Sequence, residues 1–170
     1  MSVARLFTGM EIRDAAKADF PETLRLNEAS VHFLSPLDAA RLNRLHGEAA
    51  YHRVAVIDGR IAGFLLAFRE GCSYDSPNYR WFATRYERFL YIDRIVVAHA
   101  DRSRGVGKLL YEDLFRFAEA ARVGRVTCEF DIDPPNEASR RFHAQYGFQE
   151  VGTQQVAGGT KSVSLQAASI

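Results

Sequence analysis

The chain is most informative at first for what it lacks. Cysteine occurs only twice in 170 residues, at Cys72 and Cys128. That is too few for a disulfide framework, and the spacing is wrong for a zinc site, so two free thiols and no metal are expected. No apolar run approaches the ~18 residues of a membrane span, and no charged-then-apolar leader is read at the start. The expected compartment is the cytoplasm, with no membrane partner. An excess of charge of either sign is also missing. Twenty-two basic residues face 21 acidic ones, for a net charge of +1, which argues against a nucleic-acid binder relying on wholesale phosphate neutralisation. No repeat, low-complexity block or Pro/Gly-rich linker divides the sequence, so residues 1–170 read as one domain. At 47% apolar residues, that domain has enough to build a substantial core.

What is present alternates strand and helix signals. A first strand over 11–15 precedes a helix opened by Asp19, Phe20 and Pro21, with Asp19 expected as an acidic N-cap. A second helix is expected over 37–49. YHRVAVI and IAGFLLAF, joined by Asp58-Gly59, spell a β-hairpin. The segment 70–87 has no clean period. It carries Tyr74, Tyr79, Trp81, Phe82 and Tyr86 with Arg80 and Arg85, and reads as a long ordered loop, either a lid or a partner contact, or as rings capping the core. In FLYIDRIVVA, at 89–98, apolar positions Leu90 and Ile92 give way to Ile95 and Val97. This one-residue phase slip at Asp93-Arg94 is the signature of a β-bulge, unless the strand is buried on both faces. Leu110, Leu114, Phe117, Ala118 and Ala121 form one apolar stripe of a helix from about 107 to 121. RVTCEFDI is a further strand, Asn136 caps a helix running to Gln145 that Gly147 can terminate, and two strands close the chain around Gly158-Gly159.

The stretch DRSRGVGKLLYEDL, 101–114, joins a strand to a helix. Such a junction exposes unpaired amides and the positive end of the helix dipole, so it suits a phosphate; Arg102, Arg104 and Lys108 add charge at the rim. It is not a Walker A loop, because Leu109 stands where Ser or Thr must hold magnesium. It is not a dinucleotide fingerprint, because Leu110 replaces the third glycine. What remains is R-x-x-G-x-G, filled by Arg102, Gly105 and Gly107, which a plain connecting turn can also carry.

YIDRIVVAHADRSRGVGKLL followed by PNEASRRFHAQYGF resembles the two signatures of the GCN5-related N-acetyltransferase (GNAT) superfamily, at that family's separation. The resemblance implies an α/β fold: a mixed, mostly antiparallel sheet of about seven strands, splayed in the middle and flanked by about four helices. Residues 11–98 would form its N-terminal half and 99–170 its coenzyme A loop, later helices and last strands. It implies acetyl-coenzyme A as acyl donor and a small-molecule, amino-acid or peptide amine as acceptor. Ser103, Arg104, Gly105, Val106, Gly107 and Lys108 would cradle the pyrophosphate, with Arg102 at the start. The backbone of Ile95, Val96 and Val97 would pair with the pantetheine arm, an amide near Val96 or Val97 polarising the thioester. Asn136 matches a pantetheine ligand, beside its role as a cap.

The family's leaving-group acid is commonly a tyrosine seven residues after that asparagine. Here that position is His143, either an imidazole acid or a histidine without a part in proton transfer. Asp93 is the expected base, with Glu129 the second candidate. Acceptor residues are expected among His32, Phe33, Tyr79, Trp81 and Arg85, with Tyr74 and Arg80 nearby, a set suited to an amine on an apolar or carboxylated body. Family members are often homodimers, so a second copy is a further expected partner. The competing reading is a module that binds acyl-coenzyme A without turnover.

Overall fold

The computed structural model describes residues 9–31 and 34–170. Seven strands form one sheet: β1 (Met10–Asp14), β2 (Tyr51–Ile57), β3 (Arg60–Arg69), β4 (Leu90–Val97), β5 (Arg125–Asp133), β6 (Gln149–Val156) and β7 (Lys161–Ser169). Their order is β1-β2-β3-β4-β5-β7-β6. Every neighbouring pair is antiparallel except β4 and β5. The helices are α1 (Phe20–Glu28), α2 (Ala39–Glu48), α3 (Pro77–Ala83), α4 (Val106–Ala120) and α5 (Glu137–Ala144).

Each face of the sheet is covered by a different apolar set. On one, Leu110, Leu114 and Ala118 of α4 are fully buried with Leu65, Leu90 and Val126, which is the use the helical stripe predicts. On the other, Leu66, Phe68, Tyr74, Tyr79, Phe82, Phe89 and Tyr91 pack with Leu45 of α2. Most of the rings in the segment read as a loop therefore belong to the core. That segment also contains a fifth helix, α3, which the sequence reading missed. Ser76 accepts from the Tyr79 amide at 3.3 Å, and Pro77 occupies the first turn, so a cap and a proline start a helix too short to show a period.

Asp19 also departs from expectation. It does not cap α1 with its side chain; its carboxylate takes the Ala16 amide at 2.8 Å and a bidentate pair from Arg13 at 2.8 and 2.9 Å. The acid thus fastens the turn before the helix rather than the helix start. The helix expected over 37–49 starts at Ala39, capped by the Asp38 carboxylate accepting from the Arg41 amide at 2.7 Å.

The phase slip in β4 is a bulge. Leu66 of β3 faces Arg94 and Ala67 faces Ile92, leaving Asp93 as the extra residue. Close approach of β3 and β4 just beyond it depends on Gly63, where an added Cβ would lie 2.7 Å from the Val96 carbonyl oxygen. Gly63→Ala is expected to cost about 1–3 kcal/mol of stability, seen as a lower urea midpoint at unchanged slope.

Candidate active site

The site begins where a strand pair ends. β4 and β5 are paired only at Leu90–Val126 and Tyr91–Thr127; beyond these the strands part. The opening is a cleft of about 1260 Å³. The Ala98 amide donates to Ala62 of β3 at 2.8 Å, and Phe64 stands opposite Val96. Because backbone groups alternate sides along a strand, Val96 spends its N–H and C=O on β3, while Ile95 and Val97 turn theirs toward the cleft. Of the three residues expected along the pantetheine arm, Ile95 and Val97 line the cleft and Val96 is buried behind them.

One end of the cleft is the 101–108 loop. Gly105 adopts φ +84° immediately before α4, a conformation that favours glycine. Among the described residues, the amides of Gly105, Val106, Gly107 and Lys108 have no backbone acceptor; the first bond into the helix is from Leu109 to Gly105. Ser103, at φ +71°, also lines this end. The buried Asp101 carboxylate staples the loop to the sheet, taking two bonds from Arg60 at 2.7 and 2.9 Å and one from Arg104 at 2.9 Å. Arg104, though exposed, is therefore paired with Asp101 and does not border the cleft, a correction to the expected rim of three cations. Lys108 lies 3.7 Å from Glu112, and Arg102 has no ion pair among the described residues. Unpaired amides, a helix start and cations at the rim make this end fit a pyrophosphate.

Beneath the loop, on the α4–α5 face, Asn136 caps α5 through the Ser139 amide at 3.2 Å while also bordering the cleft. His143 lines the floor and is buried. Its Nδ1 lies 2.7 Å from the Ser139 carbonyl, which only accepts, so Nδ1 carries the proton. Burial pushes the imidazole below its ordinary range, leaving it neutral. Nε2 then accepts from the Tyr111 hydroxyl at 2.5 Å. So bonded, the one proton of His143 is spent on the Ser139 carbonyl, which favours the second of its two expected readings, a histidine without a part in proton transfer. Tyr111, which the sequence reading did not single out, is fixed as its donor, and burial holds that phenol well above its ordinary range.

The opposite end carries the carboxylates. Asp93, the bulged residue, receives Arg94 Nε at 2.6 Å and the Tyr74 hydroxyl. Arg94 is buried and also reaches Asn27 Oδ1 at 2.8 Å and the Ser35 carbonyl at 3.2 Å, tying the bulge to α1 and to the chain after it. Asp93 is thus fully engaged in structure. Glu129 differs. It takes the Tyr91 hydroxyl at 2.9 and 2.8 Å and has no cation partner among the described residues. Its surroundings raise its pKa to about 8, first by burial, with the Asp93 charge adding and the Tyr91 hydrogen bond opposing. The residue is half-buried and borders the cleft, so the carboxyl is poorly hydrated yet reachable. The same wall holds Arg41, paired to Asp75 at 2.8 Å, and Lys161, 3.3 Å from Asp131.

Three expected acceptor residues lie elsewhere. Tyr79 is buried with its hydroxyl on the Arg69 carbonyl at 2.7 Å. Trp81 packs over Gly152, and Arg85 stacks on Trp81 at 3.7 Å. None of the three borders the cleft, whose wall instead uses Tyr74, the 75–76 connection and the first residues of α3. His32 and Phe33 lie outside the described residues.

Over residues 10–148 the sequence matches the model of the Acetyltransferase (GNAT) family. The chain belongs to this family. Over 109 residues it is 35% identical to a phosphinothricin N-acetyltransferase of Streptomyces coelicolor, covering 64% of this chain and 58% of that protein. Among solved structures, Ard1 from Thermoplasma volcanium matches with a TM-score of 0.78 at 17% identity, over 96% of this chain and 99% of that one. Arabidopsis thaliana Naa50, solved with a bisubstrate analogue CoA-Ac-MVNAL, matches with a TM-score of 0.73 at 13% identity, over 96% and 100%. The seven-stranded sheet and its five helices are the GNAT fold.

The raised pKa of Glu129 has a consequence for stability. The unfolded chain ionises this group above about 4.5, whereas the folded chain holds its proton to about 8. Its contribution is therefore full below 4.5 and is lost as pH rises to about 8. Glutamine has no proton to lose. Glu129→Gln is expected to melt with the parent at pH 4 and on the order of 5 °C above it at pH 8, measured by calorimetry.

Proposed function

We propose that the chain transfers the acetyl group of acetyl-coenzyme A to a primary amine carried by a small molecule, an amino acid or a peptide. The observation that carries this reading is the splay itself. It is a strand edge left open between a phosphate cradle at one end and an uncompensated carboxyl at the other. Membership of the GNAT family supports acyl transfer, and the relative named for an amino-group acetylation supports the acceptor class.

In this reading the amides of 105–108 and Arg102 hold the pyrophosphate, and Ile95 and Val97 hold the pantetheine arm as an added strand. The donor supplies an activated acyl group. A Val97 or Ile95 amide, directed into the cleft, polarises the acyl carbonyl, a hydrogen bond that strengthens as charge develops on oxygen. Glu129 rather than Asp93 is the base. A base titrating near 8 is matched to its task, whereas Asp93 is held by Arg94 and Tyr74. The family allows both small-molecule and peptide acceptors, and the cleft, at about 1260 Å³, is wide enough to take an amine on a sizeable body beside the donor.

Purified protein is expected to gain roughly 5–10 °C in melting temperature with acetyl-coenzyme A at a hundred times its Kd. It is also expected to release coenzyme A with at least one member of a panel of amino acids, polyamines and peptide N-termini. Stabilisation without turnover on any amine would identify an acyl-coenzyme A-binding module instead. Gly105→Val places a branched side chain at φ +84° and is expected to raise the Kd roughly tenfold or more; unchanged binding would remove the loop from the site.

A further inference from the structure

We infer that Glu129 moves the proton in both directions, taking it from the attacking amine and returning it to the departing sulfur, so that this site works without a separate acid. The inference rests on the acetyltransferase reading above. It comes from an accounting of the groups that border the splay. On the α4–α5 face the two candidates are bonded to each other. The Tyr111 hydrogen lies on His143 Nε2, and the His143 hydrogen lies on the Ser139 carbonyl. Moving the Tyr111 proton to a thiolate would leave a buried phenolate beside a nitrogen lone pair, with no hydrogen available to stabilise it. Cys128 is buried, and its thiol is pushed well above the ordinary range. Asp93 is held by Arg94 and Tyr74, and Lys161 and Arg41 lie against carboxylates.

Glu129 alone among these groups is a carboxyl with no cation against it. Among the described residues, the groups facing it are Tyr91 and Asp93 from β4, Asn78 from α3, Tyr74 from the connection before α3, Asp131 from its own strand and Tyr111 from α4. Leu165 of β7 stands beside it in the sheet. Two of these groups are acids and none is a cation, so the carboxyl exchanges a proton without breaking an ion pair. Titrating at about 8, it stands within about a unit of an ordinary thiol, so the return transfer is nearly level.

The chemistry balances with no further reactant. The amine enters as the free base, and its nitrogen lone pair forms the new C–N bond. One N–H proton passes to a Glu129 oxygen. The C–S bond breaks with its electron pair on sulfur, and Glu129 delivers the proton there, becoming a carboxylate again. Tyr91 is a positioning residue: its hydroxyl holds the carboxyl and lowers its pKa from what burial alone would impose.

The test reads the carboxyl directly. In protein labelled with ¹³C at glutamate side chains, the signal absent from Glu129→Gln is followed against pH, with and without saturating coenzyme A. A midpoint near 8 that moves by about half a unit or more when the free thiol binds is the expected result. An unmoved midpoint places the carboxyl away from the sulfur and overturns the return step. Kinetics on the best amine of the panel test the collecting step. Glu129→Gln is expected to lose about 100-fold or more in kcat together with the rise of rate through pH 8. Tyr91→Phe is expected to keep that rise but shift it to higher pH. A Glu129→Gln enzyme with the parent's rate and profile overturns the proposal. A parent that turns over no amine, yet shows the coenzyme A-linked shift, overturns the acetyltransferase reading and leaves the carboxyl–sulfur contact standing.

Discussion

The structure depends on one interruption: β4 and β5 pair at two residue positions and then separate. A buried strand edge with unmatched N–H and C=O groups is costly in a folded protein, so the interruption has to be enforced. Three features enforce it. The extra residue at Asp93 turns β4, and Arg94 holds that turn against Asn27 and Ser35. Gly63 lets β3 lie close behind the strand beyond the bulge. The exposed edge of Ile95 and Val97 then suits an extended ligand that supplies the missing hydrogen bonds. The fold makes a site by leaving its sheet incomplete.

Charge around this opening is almost entirely cancelled, which makes the exceptions informative. Asp101 holds Arg60 and Arg104, Asp93 holds Arg94, Asp75 holds Arg41 and Asp131 faces Lys161. These pairs fix geometry; desolvated pairs are weak sources of net stability. Among the charged residues bordering the cleft, Arg102 at the loop and Glu129 at the far end have no such ion-pair partner. In the proposed reaction these become a cation where phosphates would lie and a carboxyl where a proton would move.

The fold was legible because its signals are local or periodic. The hairpin, the α4 stripe, the Asn136 cap and the phase slip at Asp93 each depend on neighbours a few residues apart, and the structure shows them where the pattern put them. What sequence alone does not reveal is pairing across distance. Arg104 looked like a rim cation because nothing local says that Asp101, fixed by Arg60 from 41 residues away, is buried where it can pair with Arg104. Tyr111 and His143 are 32 residues apart, so an imidazole placed where a tyrosine was expected looked like an acid. Tyr79, Trp81 and Arg85 suggested an acceptor site by composition, but α3 turns them into core and edge packing. Asp93 looked like the base from its place in the central strand. Glu129, the second candidate, carried a sequence signal of its own as the one carboxylate in RVTCEF, whose weight became clear only beside Tyr91.

His143 and Glu129 together show why residue type is a poor guide to proton transfer in such a site. A histidine is ordinarily the group that titrates nearest neutrality, and a glutamate is ordinarily ionised there. Here burial acts on both and exchanges their roles. It favours the uncharged form of each, lowering the imidazole and raising the carboxyl to about 8. The neutral histidine is then well suited to a different task, accepting from Tyr111 while donating to Ser139, a bond path that joins α4 to α5 beneath the cradle. Keeping Glu129 partly dehydrated costs stability at the pH where it must ionise. A group that contributed only packing would gain from replacement by an uncharged isostere, so the stability that this carboxyl costs is offset only if, as proposed, it exchanges a proton.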